Sequence, residues 1–195
     1  MGELVLLSPD EARFPMVPTL GPTLGVKGQR PTAKTRDCKD LLYVFAVVNL
    51  ISAALHTNTL ASPKDAKKRT GQSKNRRLQE AFAAHLRHVG RIYPQPQCPE
   101  VVLLIDNAPW HAGATVRQAL ADNPQLKLKR LPSYSPQLNP IERFWKKLRR
   151  RATHNRLFDT LADLKQSLRA SLSYFQTMRQ RVKSLLEKRL PRTAK

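Results

Sequence analysis

Acidic residues are what this chain is short of. Asp and Glu number 14 against 35 Lys and Arg in 195 residues, a formal net charge of +21. An excess of that size repels itself in a compact state unless a polyanion is close, so nucleic acid is the leading partner, with a ribosomal or membrane-surface role as the plain alternative. Cysteine is nearly missing: Cys38 and Cys98 stand far apart without C-x-x-C spacing, which argues against a disulfide framework or a zinc site and suits a reducing cytoplasm. No apolar run approaches the roughly 18 residues of a membrane span, and the N-terminus has no basic segment leading into an apolar core, so neither a span nor a signal peptide is expected. Internal repeats are absent as well. The hydrophobic fraction of 41% is ordinary and the length permits one domain with a helical appendix.

Because acids are few, their positions carry weight. Val101-Val102-Leu103-Leu104-Ile105 is a branched apolar run of the kind that forms a fully buried strand, and it stops at Asp106-Asn107-Ala108-Pro109. Asp106 therefore falls at a strand's carboxyl end, where α/β sheets collect ligands and catalytic groups; Asp-Asn-Ala-Pro also reads as a simple turn. Leu4 to Leu7 predicts a first strand ending at Ser8-Pro9-Asp10-Glu11. Side chains alternate along an extended chain, so Asp10 and Glu11 cannot serve one site, and one of them is expected to be a solvated neighbour.

Prolines and glycines between Phe14 and Pro31 predict loop and hairpin strands, with a turn at Gly28-Gln29. Tyr43 to Val48 predicts a well-buried strand, and Leu50 to Leu55 a partner strand. Residues 62–77 are polar and basic and predict a mobile loop, either a solvated connector or a contact to phosphates through Lys67, Lys68, Arg69, Arg76 and Arg77. Leu78, Phe82, Leu86 and Val89 mark an amphipathic helix ending near Gly90; His85 and His88 on it read as basic surface rather than a metal pair. A short helix over 113–122 and a strand over Leu126 to Leu131 follow.

Asn139-Pro140 then predicts a helix cap and first helical residue, with Glu142 at the third position. That spacing is also a capping box, and read alone Glu142 fits this role better than a chemical one. In the helix, Phe144, Trp145 and Leu148 share an inward face, while Arg143, Lys146, Lys147, Arg149, Arg150 and Arg151 make the remainder cationic and able to bind DNA, with Arg143, Lys146, Lys147 and Arg150 the candidates. Further helical periods run through Leu157, Leu161, Leu164 and Leu168 and through Phe175, Met178, Val182, Leu185 and Leu186. Asp10, Asp106 and Glu142 all sit at element boundaries and could share hard divalent cations, which take oxygen ligands and offset clustered carboxylates.

Leu103-Leu104-Ile105-Asp106-Asn107-Ala108-Pro109-Trp110-His111, followed by Leu131-Pro132-Ser133-Tyr134-Ser135-Pro136-Gln137-Leu138-Asn139-Pro140-Ile141-Glu142-Arg143-Phe144-Trp145, resembles the second and third catalytic blocks of the DDE transposases, in the insertion-sequence branch related to mariner transposons. Asp10-Glu11-Ala12-Arg13-Phe14 with Gly28-Gln29-Arg30-Pro31 resembles the first block. Ser8-Pro9 stands where that family usually has apolar residues, and Leu24 where tryptophan is common. The resemblance implies an α/β, ribonuclease-H-like mixed sheet flanked by helices over residues 1–155, with a basic helical C-terminal extension over 156–195. It implies Asp10, Asp106 and Glu142 as catalytic metal ligands, two Mg²⁺ or Mn²⁺ ions per site, and Asn107, His111 and Asn139 as supporting or DNA-positioning groups. The implied reaction is cleavage and strand transfer at transposon ends by a homo-oligomer on DNA, in a prokaryotic cytoplasm. Family members carry helix-turn-helix domains ahead of the first strand, for which nine residues leave no room, so the expectation is a catalytic half, one product of a split frame, or a remnant. A separately encoded N-terminal half would then supply DNA recognition. The rivals are a non-catalytic basic DNA-binding or regulatory protein and a structure-selective nuclease.

Overall fold

Strand β1 spans Val5–Pro15 and runs straight through Ser8 and Pro9, where the sequence predicts its end. The computed structural model describes residues 4–29, 31–35, 37–133, 135 and 138–187; Arg30, Tyr134, Pro136, Gln137 and the end of the tail lie outside the described residues. Pro9 is tolerated for a reason of direction. Val5 donates its N–H to Glu100 on the β4 side, and every second residue faces the same way. Strand β4 (Val101–Ile105) pairs with β1 only through Leu7, so the missing N–H of Pro9 costs no ladder bond.

On its other edge β1 pairs antiparallel with β2 (Leu41–Asn49), and β2 with β3 (Leu55–Ser62). β4 pairs in parallel with β5 (Leu126–Arg130), giving a five-stranded mixed sheet in the order β3-β2-β1-β4-β5. The antiparallel partner of β1 is thus β2, which begins at Leu41, rather than a strand of the local hairpin predicted before Pro31. The turn at Gly28 is present, with φ +84° and a hydrogen bond from Gln29 N–H to Val26 O. Residues 50–54 are a tight turn instead of strand: the Asn49 side chain accepts the N–H groups of Ile51 and Ser52, and β3 begins only at Leu55.

The predicted mobile loop is largely helical. Helix α1 covers Ala66–Thr70 and α2 covers Lys74–Ile92, capped by Ser73, whose hydroxyl accepts the N–H of Arg76. Only Ala66 of α1 is buried, so no apolar period announced it. Helix α3 spans Ala114–Ala121, α4 Ile141–Ala152, α5 Leu161–Thr177 and α6 Arg179–Leu186.

Strand alternation sorts the core into two layers. Ala12, Phe14, Leu42, Val44, Ala46 and Val48 face one side and pack with Ile141, Phe144, Trp145, Leu148, Leu164, Leu168, Phe175 and Val182 of α4, α5 and α6. Val5, Leu7, Tyr43, Phe45, Val47, Val101, Leu103 and Ile105 face the other, against Leu78, Phe82, Leu86 and Val89 of α2 and Val116 and Ala119 of α3. The apolar residues of α5 and α6 therefore share one layer with α4, and the packing is continuous across position 155.

His85 belongs to the second layer, not to the surface. It is 1% exposed, lies beside the Phe45 ring, and neither ring nitrogen has a hydrogen-bond partner among the described residues. Burial, with His88 and His56 adding to it, lowers its imidazole from the ordinary 6.5 to about 3. The unfolded chain takes up a proton below 6.5 that the native chain refuses, so this contribution to stability is present above 6.5 and is lost as pH falls. His85→Leu is expected to stabilise the fold by roughly 1–3 kcal/mol, since an apolar side chain leaves no polar atom orphaned, and to flatten the acid limb of stability against pH. Urea unfolding between pH 4 and 8 measures both.

Candidate active site

Where β1 parts from β4 a cleft of about 400 Å³ opens, and Asp10, Asp106 and Glu142 all line it. Asp10 comes from the middle of β1, Asp106 follows directly on β4, and Glu142 lies in the first turn of α4. Asn107, Ser133, Ser135 and Asn139 complete the polar wall. A larger hollow of about 660 Å³ lies among Leu20, Leu24, Pro31 and Leu157 and presents no carboxylate.

Asp10 is 9% exposed. Its Oδ2 accepts from Trp145 Nε1 at 3.0 Å and Asn139 Nδ2 at 3.2 Å, and its Oδ1 accepts from the Glu11 N–H at 2.9 Å. Ser8 Oγ donates to Asn139 Oδ1 at 2.9 Å, which turns the amide so that its nitrogen faces the carboxylate. Burial raises the Asp10 carboxyl to about 7; the charges of Glu11 and Glu142 push the same way, and the Trp145 hydrogen bond opposes them.

The predicted capping box does not form. Helix α4 starts behind Pro140, which is itself in helical conformation, with no side-chain cap, because the Asn139 amide is committed to Asp10 and Ser8. Glu142 is left turned to the cleft.

Asp106 is half-exposed and stays ionised readily: a hydrogen bond from His111 holds its carboxyl below the usual range, helped by the Ala108 N–H. Asp106 Oδ1 lies 2.9 Å from His111 Nδ1 and 2.9 Å from the Ala108 nitrogen. His111 Nε2 lies 3.2 Å from Glu11 Oε2. Burial by itself would lower this imidazole, but the bonds to Asp106 and Glu11, with their charges, outweigh it and raise it to about 9. Glu11 is not the solvated neighbour expected; it is buried behind β1 and also accepts from Trp110 Nε1 at 3.0 Å. Asn107 Nδ2 donates to Leu131 O at 3.0 Å and its Oδ1 accepts from Arg130, fastening the loop after β4 to the loop after β5.

Nine cations were candidates for DNA contact, and none of them lines the cleft. Lys67, Lys68 and Arg69 on α1 and Lys146, Lys147 and Arg150 on α4 are exposed. The other three have internal partners: Arg76 pairs with Glu80 at 2.8 Å, Arg77 donates to Ala61 O, and Arg143 donates to the carbonyls of Leu185 and Leu186 at the end of α6.

Carboxylate and amide oxygens suit a hard cation such as Mg²⁺ or Mn²⁺ and exclude soft-metal preference. Among the described residues no three His, Cys, Asp or Glu side chains are gathered closely enough to hold an ion as they stand. The donor set fits such a cation, and a buried carboxylate as reluctant to ionise as Asp10 is one that a cation would satisfy.

A sequence profile described as DDE superfamily endonuclease matches residues 5–165. The chain belongs to that family. An uncharacterised protein of Sinorhizobium fredii, y4pE/y4sA, is 35% identical over 85 residues, 44% of this chain and 58% of that protein. The Mos1 mariner paired end complex with Mn superposes with a TM-score of 0.60 at 19% identity, over 94% of this chain and 54% of that one. The catalytic domain of Mos1 mariner transposase superposes with a TM-score of 0.56 at 17% identity, over 94% and 79%. These likenesses establish the ribonuclease-H-like fold. This chain spans little more than half the length of the paired-end-complex protein and of the curated relative it matches.

Ser8, Glu11, Trp110 and Trp145 are polar partners that sequence reasoning did not assign to the site. Only Glu11 had a usable signal, an acid placed by alternation on the opposite face from Asp10.

With a folded pKa raised above the ordinary 3.8, Asp10 stabilises the metal-free fold fully below 3.8 and loses that contribution as pH rises through about 7. Asp10→Asn removes the charge but sets an amide nitrogen against one of the N–H donors, so the variant is expected to gain roughly 2–4 kcal/mol relative to the native chain on going from pH 4 to pH 8 in chelator-treated protein. Denaturant melts at the two pH values check this.

Proposed function

We propose that this chain is the catalytic domain of a transposase, cutting DNA at transposon ends and transferring the strands. The observation that carries the reading is one cleft lined by Asp10, Asp106 and Glu142, each delivered by a different element, in a chain of net charge +21. The three carboxylates would hold divalent ions, Mg²⁺ or Mn²⁺ and two per site; the Mos1 complex with Mn, a protein of the same fold, supports that choice. Bound there, such ions supply activation of the attacking hydroxyl and charge stabilisation at the scissile phosphate.

The chain's own residues do the positioning. Asn139 and Trp145 hold Asp10 by one oxygen, His111 holds Asp106, and Asn107 ties together the two loops that frame the cleft. Glu142 has no such tether among the described residues and lines the cleft beside them. The exposed cations of α1 and α4 bind the phosphate backbone, and Arg76, Arg77 and Arg143 contribute once released from their internal partners. DNA, both transposon end and target, is the partner. Assembly as a homo-oligomer on that DNA, a DNA-recognition half on a separate chain, residues 1–155 acting as the catalytic unit with a basic helical extension after it, and a site of action in a prokaryotic cytoplasm belong to the same reading. Among the described residues no helix is long and apolar enough to cross a membrane.

Two measurements test it. Incubated with supercoiled plasmid and Mn²⁺ at low salt, the native chain is expected to nick and join DNA, and Asp106→Asn to lose about 100- to 1,000-fold of that rate, the scale seen when one preorganised charge-stabilising group is removed. Equal DNA binding with no metal-dependent product from the native chain, even with an upstream DNA-binding half added, would make it a non-catalytic binder. Separately, Lys67→Ala/Lys68→Ala/Arg69→Ala is expected to weaken duplex binding irrespective of sequence and to reduce the slope of log affinity against log salt by about 2–3, read by fluorescence anisotropy.

A further inference from the structure

Glu11 sits next to Asp10 in sequence but faces the opposite side of the sheet, where it does not line the cleft. Neither of its carboxylate oxygens is left to solvent chemistry. Oε1 accepts from Trp110 Nε1 at 3.0 Å, and Oε2 lies 3.2 Å from His111 Nε2, with the Glu11 side chain 9% and the His111 side chain 1% exposed. The second nitrogen of the same imidazole, Nδ1, lies 2.9 Å from Asp106 Oδ1. The ring packs against Phe82 of α2, whose centroid is 4.2 Å away.

We propose that Glu11 is a positioning residue for the reaction: it fixes His111, and through His111 the carboxylate of Asp106, so that a Glu11–His111–Asp106 chain reaches the cleft from behind the sheet. The proposal rests on the reading of Asp106 as a metal ligand given above. Asp106 is half-exposed at the start of an irregular loop, and on its own would sample several rotamers. Among the described residues one backbone N–H, that of Ala108, is its other tether. A buried ring gripped at both nitrogens takes that freedom away, and a carboxylate is the acceptor that grips best. The loop that carries Trp110 and His111 is itself clamped, since Gln79 of α2 donates to Ala112 O and accepts from Thr115 Oγ1. Gly113 is required at that point: its φ is +117°, and a Cβ there would strike the Gln79 amide. Framework and chain thus converge on one oxygen of Asp106. The acid pair Asp10-Glu11 divides its labour by strand alternation, the first facing the substrate cleft and the second serving the other aspartate.

The test uses the full chain, with Mn²⁺ as the probe in titration calorimetry, plasmid nicking as the rate, and duplex anisotropy as the control. Glu11→Ala is expected to weaken Mn²⁺ binding roughly 10- to 100-fold and to lower kcat for nicking at saturating DNA, with duplex affinity within about twofold of native. Glu11→Gln keeps an acceptor oxygen and the shape but not the charge, and is expected to fall between, weakened at least about threefold. If Glu11→Ala does not fold, the isosteric Gln variant decides alone. Native Mn²⁺ affinity in Glu11→Gln, alongside loss in Asp106→Asn, overturns the chain while leaving the metal site standing. Native Mn²⁺ affinity in Asp106→Asn overturns the metal site itself, and the Glu11 proposal with it.

Discussion

The parting of β1 from β4 after Leu7 is the constraint on which the rest of this molecule depends. Their divergence leaves β1 held on one edge only, by β2, over the residues that matter chemically, and β2 is buried from Leu42 to Asn49. That burial makes the one-sided support rigid. Period-two alternation along β1 then assigns each residue from Ser8 to Phe14 a side: Ser8, Asp10, Ala12 and Phe14 toward α4, Glu11 toward α2 and the loop after β4.

Electrostatics follow from that division. Two aspartates share one cleft but have opposite environments: Asp10 is buried against Trp145 and made reluctant to ionise, whereas Asp106 is half-exposed and held ionised by His111. Pairs of titratable groups pushed apart in this way are what sites of chemistry look like, because a structural fold gains nothing from a buried acid without a cation beside it. The abundant Lys and Arg do not relieve it. None of the nine DNA-binding candidates lines the cleft, and three of them are spent on Glu80, on Ala61 O and on the end of α6. Among the described residues no Lys or Arg lines the cleft, which suits a cation within it.

Much of this was legible from residues, and the failures have physical causes. The buried strands at Tyr43 and Val101 and the amphipathic stretch from Leu78 were readable because apolar periodicity reports burial directly. Asp106 was readable because a strand run ends at it, and Asp10 and Glu142 because the motif blocks include them. Pro9 misled because the rule against proline in strands assumes a partner on both edges, and here one edge is empty. Helix α1 was invisible because it buries a single alanine. His85 looked like surface beside His88, yet only one of the two turns outward, and a polar residue without a partner leaves no trace in a periodicity. Trp145 was read correctly as core and incompletely as chemistry: its ring packs at 6.2 Å from Phe14 while its N–H serves Asp10.

The start of α4 shows how far the site overrides local preference. Asn139-Pro140-Ile141-Glu142 offers the residues of a capping box, and the chain demonstrates elsewhere that it can use one: at α5 the Thr160 hydroxyl accepts the Asp163 N–H and the Asp163 carboxylate accepts the Thr160 N–H. α4 forgoes it. Losing a cap costs about 1 kcal/mol, and nothing in the helix itself recovers that. What is gained lies off the helix, since the freed Asn139 amide reaches Asp10 and the freed Glu142 carboxylate reaches the cleft. A local rule broken on two side chains three residues apart, both toward the same carboxylate-lined space, is better explained by a ligand for that space than by stability.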